Sequence, residues 1–268
     1  MIGTSSCQGQ STVYLSLTTM AENPDSAEML MVIQQIQALH CKETREAALQ
    51  SLVQDDSIRE SSLPLLLWHS FGAVSILIQE IMSINRSVSS PYLSNRVRWA
   101  LALFQGIASH PRAKLILIYA EIPKHLKPFL DIRNEEMHHE SLRHSSLVVL
   151  EALVKVDDAK VIGFFLKYDM ITSFLNCMEF GGALSRTTAT FIVHRILLNK
   201  DVFSHCDQAG RFLDILRRLE LMINELAKGG SFAEDTRKQL LQQIILCYHR
   251  LLENPVHMLN LETSFPRS

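Results

Sequence analysis

The stretch NRVRWALALFQGIASH, residues 95–110, decides the fold class because two later stretches repeat its pattern. They read LRHSSLVVLEALVKVD at 142–157 and SRTTATFIVHRILLNK at 185–200. In each, the second residue is an arginine: Arg96, Arg143 and Arg186. Two aliphatic positions also recur: Leu103, Leu150 and Val193, then Ile107, Val154 and Leu197. The arginines lie roughly 45 residues apart, which is the period of armadillo and HEAT repeats.

The rest of the chain also favours helices. Its 268 residues are 47% hydrophobic and include only 10 glycines and 8 prolines, too few for a turn-rich β fold. We predict an all-α, armadillo/HEAT-like solenoid of three-helix repeats. The alternative is a plain helical bundle in which the three stretches are alike only by chance. The predicted divisions are a disordered Ser/Thr-rich tail at 1–24, the repeat domain at 25–258 and a short tail at 259–268.

The charge and the cysteines restrict the possible cellular location and binding partners of the protein. The net charge of -2 provides no general field for nucleic acid or an anionic membrane. The 5 cysteines form no C-x-x-C pair, and the N-terminus does not resemble a signal peptide. No apolar run is long enough for a membrane span. These features predict reduced thiols and a cytoplasmic or nuclear protein.

The sequence predicts no catalytic residue, no metal site and no cofactor. Metalloprotease, hydrolase and nucleotide-binding motifs are absent. The histidines of MHHESLRH, residues 137–144, do not follow the spacing of helical metal ligands. His205-Cys206-Asp207 has the residue types of a thiol hydrolase, but neighbours in sequence rarely converge as a triad. A cryptic Cys/His hydrolase is therefore the weakest hypothesis.

The recurring arginines have two interpretations. Arg96, Arg143 and Arg186 could line one side of the solenoid as a weakly basic groove that follows phosphates. Each could instead cap or pair with a neighbouring unit. The first interpretation gives the alternative function, a groove-type single-stranded nucleic-acid-binding protein.

The run LPLLLWHSFGAVSILIQEI, residues 63–81, predicts a single helix. Its apolar stripe contains Leu67, Phe71, Val74, Ile78 and Ile81. Gly72 would then lie in a helix interior, at a cost of about 1 kcal/mol, which a close contact against the backbone would explain. No acidic residue is placed to orient His69, so the run is interpreted as a packing or binding surface.

Several blocks follow one another in order from about residue 25 to about residue 255: LLWHSFG, LIQEI, SNRV, ALALFQGIASHP, IPKHLKPFL, SLVVLEALVK and TTATFIVHRILL. Together they closely resemble the Rcd family, the "required for cell differentiation" proteins. The resemblance implies the Caf-type armadillo subunit of the CCR–NOT deadenylase complex. That subunit is non-catalytic, docks on the NOT scaffold subunit, and offers grooves to short peptides of mRNA-binding regulators and silencing adaptors. It implies a place in the cytoplasm, P-bodies included, and in the nucleus.

The resemblance also implies site residues. His69, Phe71 and Ser75 fall on the scaffold-docking face, where Ser75 replaces a family alanine. The peptide groove would contain Ser141, Arg143, Val148 and Thr188. The chain departs from the family there, because Ser141 stands where the family has Tyr and Val148 where it has Gly. The basic residues usual in the family just before Ser141 are missing, and Glu135 and Glu136 stand nearby, so we expect only weak, salt-sensitive binding of single-stranded nucleic acid.

Overall fold

The computed structural model describes residues 24–54, 63–83, 91–133, 137–156, 158–199, 202, 211–228 and 233–253. The two predicted tails fall almost wholly outside these residues, as do Glu135, Glu136 and the His205-Cys206-Asp207 stretch.

Helices form all of the regular structure in the described residues. The first half contains α1 (Pro24–Ala38), α2 (Arg45–Gln54), α3 (Leu63–His69), α4 (Ala73–Met82), α5 (Pro91–Ser109), α6 (Lys114–Tyr119), a 3₁₀ helix (Ile122–His125) and α7 (Lys127–Leu130). The second half contains α8 (Met137–Val154), α9 (Ala159–Lys167), α10 (Met170–Phe180), α11 (Ala183–Leu197), α12 (Arg211–Ala227) and α13 (Glu234–Leu252). The all-α prediction is confirmed.

The long helices stack in chain order. α2 packs on α5, α5 on α8, α8 on α11 and α11 on α13, and each of the other α-helices packs against at least one of these five. The recurring aliphatic positions all lie in this stack and are buried: Leu103, Leu150, Val193, Ile107, Val154 and Leu197. Each unit therefore completes its apolar core against the next, as expected of a solenoid.

The recurring arginines occupy equivalent places, near the start of successive long helices. Arg96 donates from Nη2 to Glu80 Oε1 of α4 at 2.6 Å. Arg143 donates to the Ile132 carbonyl beyond α7 and to Glu140. Arg186 donates to two carbonyls at the end of α10, those of Glu179 and Gly181. Each arginine thus ties its long helix to the helix before it. Arg143 and Arg186 do so through carbonyl groups near a helix end, which lack partners within their own helix, and Arg96 does so through a carboxylate.

A fourth arginine makes the same kind of contact as Arg143 and Arg186. Arg237, near the start of α13, donates from Nη2 to the Leu226 carbonyl of α12 at 3.0 Å. The sequence comparison missed it because the later aliphatic position of this unit is a tyrosine, Tyr248.

The predicted helix over residues 63–81 is wrong. The chain forms two helices, α3 and α4, which meet at an angle of 93°. Gly72 lies between them with φ of 76°, a left-handed conformation that only glycine adopts without strain. Gly72 is thus a turn residue and not a helix-interior one. None of the described helices is long and apolar enough by itself to cross a membrane; only α3 and α4 taken together reach that length and composition.

Candidate functional site

The bend between α3 and α4 places three predicted site residues on the surface. We call residues 69–75 the α3–α4 corner. His69 ends α3, Phe71 lies in the turn and Ser75 is in the first turn of α4, and all three are exposed. The Phe71 side chain is 97% exposed, so its predicted place in an apolar stripe is wrong. The 93° bend removes it from the buried face that a straight helix would have given it.

Backbone hydrogen bonds define the corner. The Ser70 amide and hydroxyl both donate to the Leu66 carbonyl, at 2.9 and 2.6 Å, and end α3. The Ala73 amide donates to the Ser70 carbonyl at 3.2 Å as α4 begins. Before the turn, Leu67 is buried and Trp68 packs half-buried against the core. The corner is therefore a turn that backbone hydrogen bonds hold in place and that follows residues packed against the core.

A histidine from outside the corner contacts it. His40, in the connection between α1 and α2, places Nε2 2.9 Å from the Phe71 carbonyl oxygen. A Cβ atom on Gly72 would lie 3.3 Å from the same nitrogen, so the backbone approaches the ring closely here. Sequence reasoning missed His40 because no local pattern connects positions 40 and 71.

The far end of α4 is fixed by a buried ion-pair cluster. Glu80 is buried, and its Oε1 accepts from Arg45 at 3.0 Å and from Arg96 at 2.6 Å. A buried carboxylate needs such partners, because an unpaired charge in a low-dielectric interior is strongly unfavourable. The cluster joins α2, α4 and α5, so both ends of α4 are held by other units.

The predicted peptide-groove residues lie on two neighbouring long helices. Ser141 and Val148 are half-buried on α8, and Thr188 is buried on α11. The Ser141 hydroxyl donates to the Met137 carbonyl at 3.0 Å, within its own helix. These positions therefore lie on two helices that pack against each other, and Ser141 is the residue at the position where the family resemblance implies a tyrosine.

The guanidinium groups of the three recurring arginines point into contacts within the solenoid. Arg143 is only 1% exposed, and Arg96 and Arg186 are mostly buried as well. Arg186 also pairs with Glu225 of α12. Donors used in this way are not presented to a ligand, so the contacts favour the interpretation in which each arginine pairs with a neighbouring helix.

Burial shifts the pKa values of two cysteines and two histidines inside the solenoid. Burial raises the pKa of the Cys177 and Cys247 thiols to about 12, so neither is a thiolate nucleophile at neutral pH. Burial also lowers the pKa of His144 and of His194, on α8 and α11. Among the described residues, no group of three or more His, Cys, Asp or Glu side chains could hold a metal ion.

The fold is similar to that of a solved structure, a designed armadillo repeat protein named YIII(Dq)4CqI. The TM-score is 0.62 at 15% identity, and the match covers 87% of each chain. This likeness confirms the armadillo prediction.

The sequence has close relatives in two yeasts. It is 39% identical to "Cell differentiation protein rcd1" of Schizosaccharomyces pombe over 213 residues, which is 77% of this chain and 73% of that protein. It is 37% identical to "Protein CAF40" of Saccharomyces cerevisiae over 212 residues, 76% of this chain and 56% of that protein. Residues 35–268 match the family described as "Cell differentiation family, Rcd1-like". The chain therefore belongs to the Rcd1-like cell differentiation family.

Proposed function

We propose that this protein is a non-catalytic adaptor subunit of the CCR–NOT deadenylase complex. It docks on the NOT scaffold subunit through the α3–α4 corner and links mRNA-regulatory proteins to mRNA decay and translational repression. Membership of the Rcd1-like family supports the proposal that the protein is a subunit of this complex. The armadillo solenoid supplies extended surfaces for binding partners, which supports the adaptor role. The protein would work in the cytoplasm, P-bodies included, and in the nucleus.

The exposed Phe71 ring is the observation that carries the docking proposal. A phenylalanine that is 97% exposed leaves its apolar area in water, which is unfavourable until a partner covers it. His69 and Ser75 flank the ring along the chain and are exposed too. Aromatic side chains on a fixed backbone are typical binding anchors and contribute about 2 kcal/mol or more at the centre of an interface.

A second surface would serve the regulators. We place their short peptides along α8 and α11, near Ser141, Val148 and Thr188. The half-buried Ser141 and Val148 are available for contact there, whereas Thr188 and Arg143 mainly support the helices. A peptide that relies on a large aromatic residue at position 141 should bind more weakly to this chain.

A binding titration with the NOT scaffold subunit tests the proposal. The double variant His69→Ala with Phe71→Ala should raise the Kd by roughly tenfold or more, since 1.4 kcal/mol is one decade. Ser75→Tyr should also weaken binding, because a large side chain would block close approach to α4. Leu213→Ala, which removes an exposed leucine from α12, is the matched control and should bind as the wild type.

The outcomes separate the two functional hypotheses. If the double variant folds normally and binds the scaffold as tightly as the wild type, the docking site lies elsewhere. A gel-shift assay with single-stranded RNA at physiological salt tests the alternative. We expect weak binding that falls steeply with salt, given the net charge of -2. Tight binding at physiological salt would favour the nucleic-acid-binding hypothesis.

A further inference from the structure

We propose that His40 is a positioning residue for the α3–α4 corner: it fixes the peptide unit that aims the Phe71 ring at its partner. The inference rests on the proposed docking role of Phe71. It adds a residue from another part of the chain, 31 positions away, whose side chain acts through the backbone of the corner.

The hydrogen bond from His40 has a defined direction. A carbonyl oxygen can only accept, so His40 Nε2 is the donor in the 2.9 Å contact with Phe71. The other ring nitrogen, Nδ1, lies 3.3 Å from the Gln37 carbonyl oxygen. Both nitrogens face acceptors, and the shorter contact assigns the proton of a neutral ring to Nε2.

Phe71 depends on its backbone for its position. A core phenylalanine is held by the side chains around its ring, but a ring that is 97% exposed has almost no such packing. The direction of its Cα–Cβ bond is therefore set by the peptide planes on either side. The plane after Phe71 leads into Gly72, where φ is 76°, and this is the plane whose oxygen His40 binds.

The connection that carries His40 also holds the other end of α4. Arg45 donates from Nε to the Leu39 carbonyl at 2.8 Å and from Nη1 to Glu80 at 3.0 Å. The Thr44 hydroxyl closes the connection with a 2.8 Å bond to the Ala38 carbonyl. Residues 39–45 thus contact the turn before α4 through His40 and the last turn of α4 through Arg45. These contacts connect the α3–α4 corner to the start of α2.

Scaffold titrations with three variants of the full chain test the role of His40. His40→Ala should raise the Kd by about three- to tenfold, which corresponds to losing one hydrogen bond that positions an anchor. His40→Gln keeps an N–H donor of similar reach and should recover most of the affinity. Lys42→Ala, an exposed neighbour in the same connection, is the control and should bind as the wild type.

A double-mutant cycle with Phe71→Ala shows whether His40 works through the ring. If it does, His40→Ala should weaken binding in the wild-type background and have little further effect once Phe71 is alanine. Equal effects in both backgrounds, or a His40→Gln variant as weak as His40→Ala, would overturn the positioning role.

Amide hydrogen exchange provides a readout that needs no partner. His40→Ala should speed exchange in peptides that cover residues 67–75 and leave those from α13 unchanged. Unchanged exchange at the corner would overturn the inference whatever the scaffold result. Faster exchange together with a Phe71→Ala variant that binds normally would instead reject the proposed docking site while the contact from His40 to the corner stands.

Discussion

Arg143 and Phe71 reverse the usual places of charged and apolar side chains. Among the described residues, Arg143 is the largest side chain that is fully buried, and Phe71 is the most exposed large apolar one. Arg143 can be buried because a carbonyl group and a carboxylate accept hydrogen bonds from its guanidinium. Phe71 can be exposed because the bend at Gly72 turns it out of the core. The arginine holds the units of the solenoid together, whereas the phenylalanine contributes little to the fold and is available to a partner.

The largest expected effect is on the arginine side of this comparison. Arg143→Leu should destabilise the protein by roughly 3 kcal/mol, because the Ile132 carbonyl and Glu140 lose their partner in a mostly buried site. Chemical denaturation, with helix content followed by circular dichroism, measures the change. Arg98→Leu, at an exposed position of α5, is the control and should change stability by less than about 0.5 kcal/mol. Equal stability of the two variants would mean that Arg143 is dispensable to the fold.

The repeat register was predictable because its cause repeats. Arg143, Arg186 and Arg237 each donate to a carbonyl group near the end of the preceding helix, and Arg96 donates to a carboxylate there. Each long helix also buries apolar residues against its neighbour, so arginine and aliphatic positions recur together. The same reasoning stopped at α13. There Arg237 and buried Ile244 keep the pattern, but half-buried Tyr248 breaks the aliphatic row. A search for the arginine with only the first aliphatic position would have included Arg237 with Ile244.

The corner could be predicted only in part. Family resemblance pointed to His69, Phe71 and Ser75, but apolar spacing predicted a straight helix. Local spacing does not distinguish a glycine that costs stability inside a helix from one that makes a left-handed turn. The contact from His40 to Phe71 depends on how the first repeat stacks, and no sequence pattern records it.

Gly72→Ala should give a smaller loss than Arg143→Leu. Alanine at φ of 76° costs about 1 kcal/mol or slightly more, and its Cβ would crowd His40 Nε2 at 3.3 Å. Gly163→Ala is the matched control, because Gly163 lies within α9 with nothing within 4 Å of the added carbon. That change should stabilise the protein by up to about 1 kcal/mol. If both substitutions stabilise, the turn at Gly72 is wrong and a continuous helix is right.

Acid should weaken the fold modestly through His144 and His194. Burial lowers the pKa of both below the ordinary 6.5, so near and below that pH the unfolded chain binds more protons than the folded one. The stability from keeping them neutral is present above this range and is lost as the pH falls. Melting curves at about pH 7.5 and 5.5 should show less loss for His194→Gln than for the wild type. An unchanged or larger loss in His194→Gln would show that other groups set the acid sensitivity.

The smallest expected effect is that of Phe71→Ala on stability. A side chain that is 97% exposed has almost no burial to lose, so the change should stay within about 0.5 kcal/mol. Phe104→Ala, at a fully buried position of α5, should cost about 3–5 kcal/mol and shows what the same substitution does in the core. Denaturation of both variants under the same conditions measures the difference. If Phe71→Ala destabilised the protein like Phe104→Ala, the ring would belong to the packed stripe that a straight helix implies, and the corner would lose its anchor. If Phe71→Ala leaves the free energy of unfolding unchanged but weakens scaffold binding, the ring contributes to recognition and not to the stability of the folded chain.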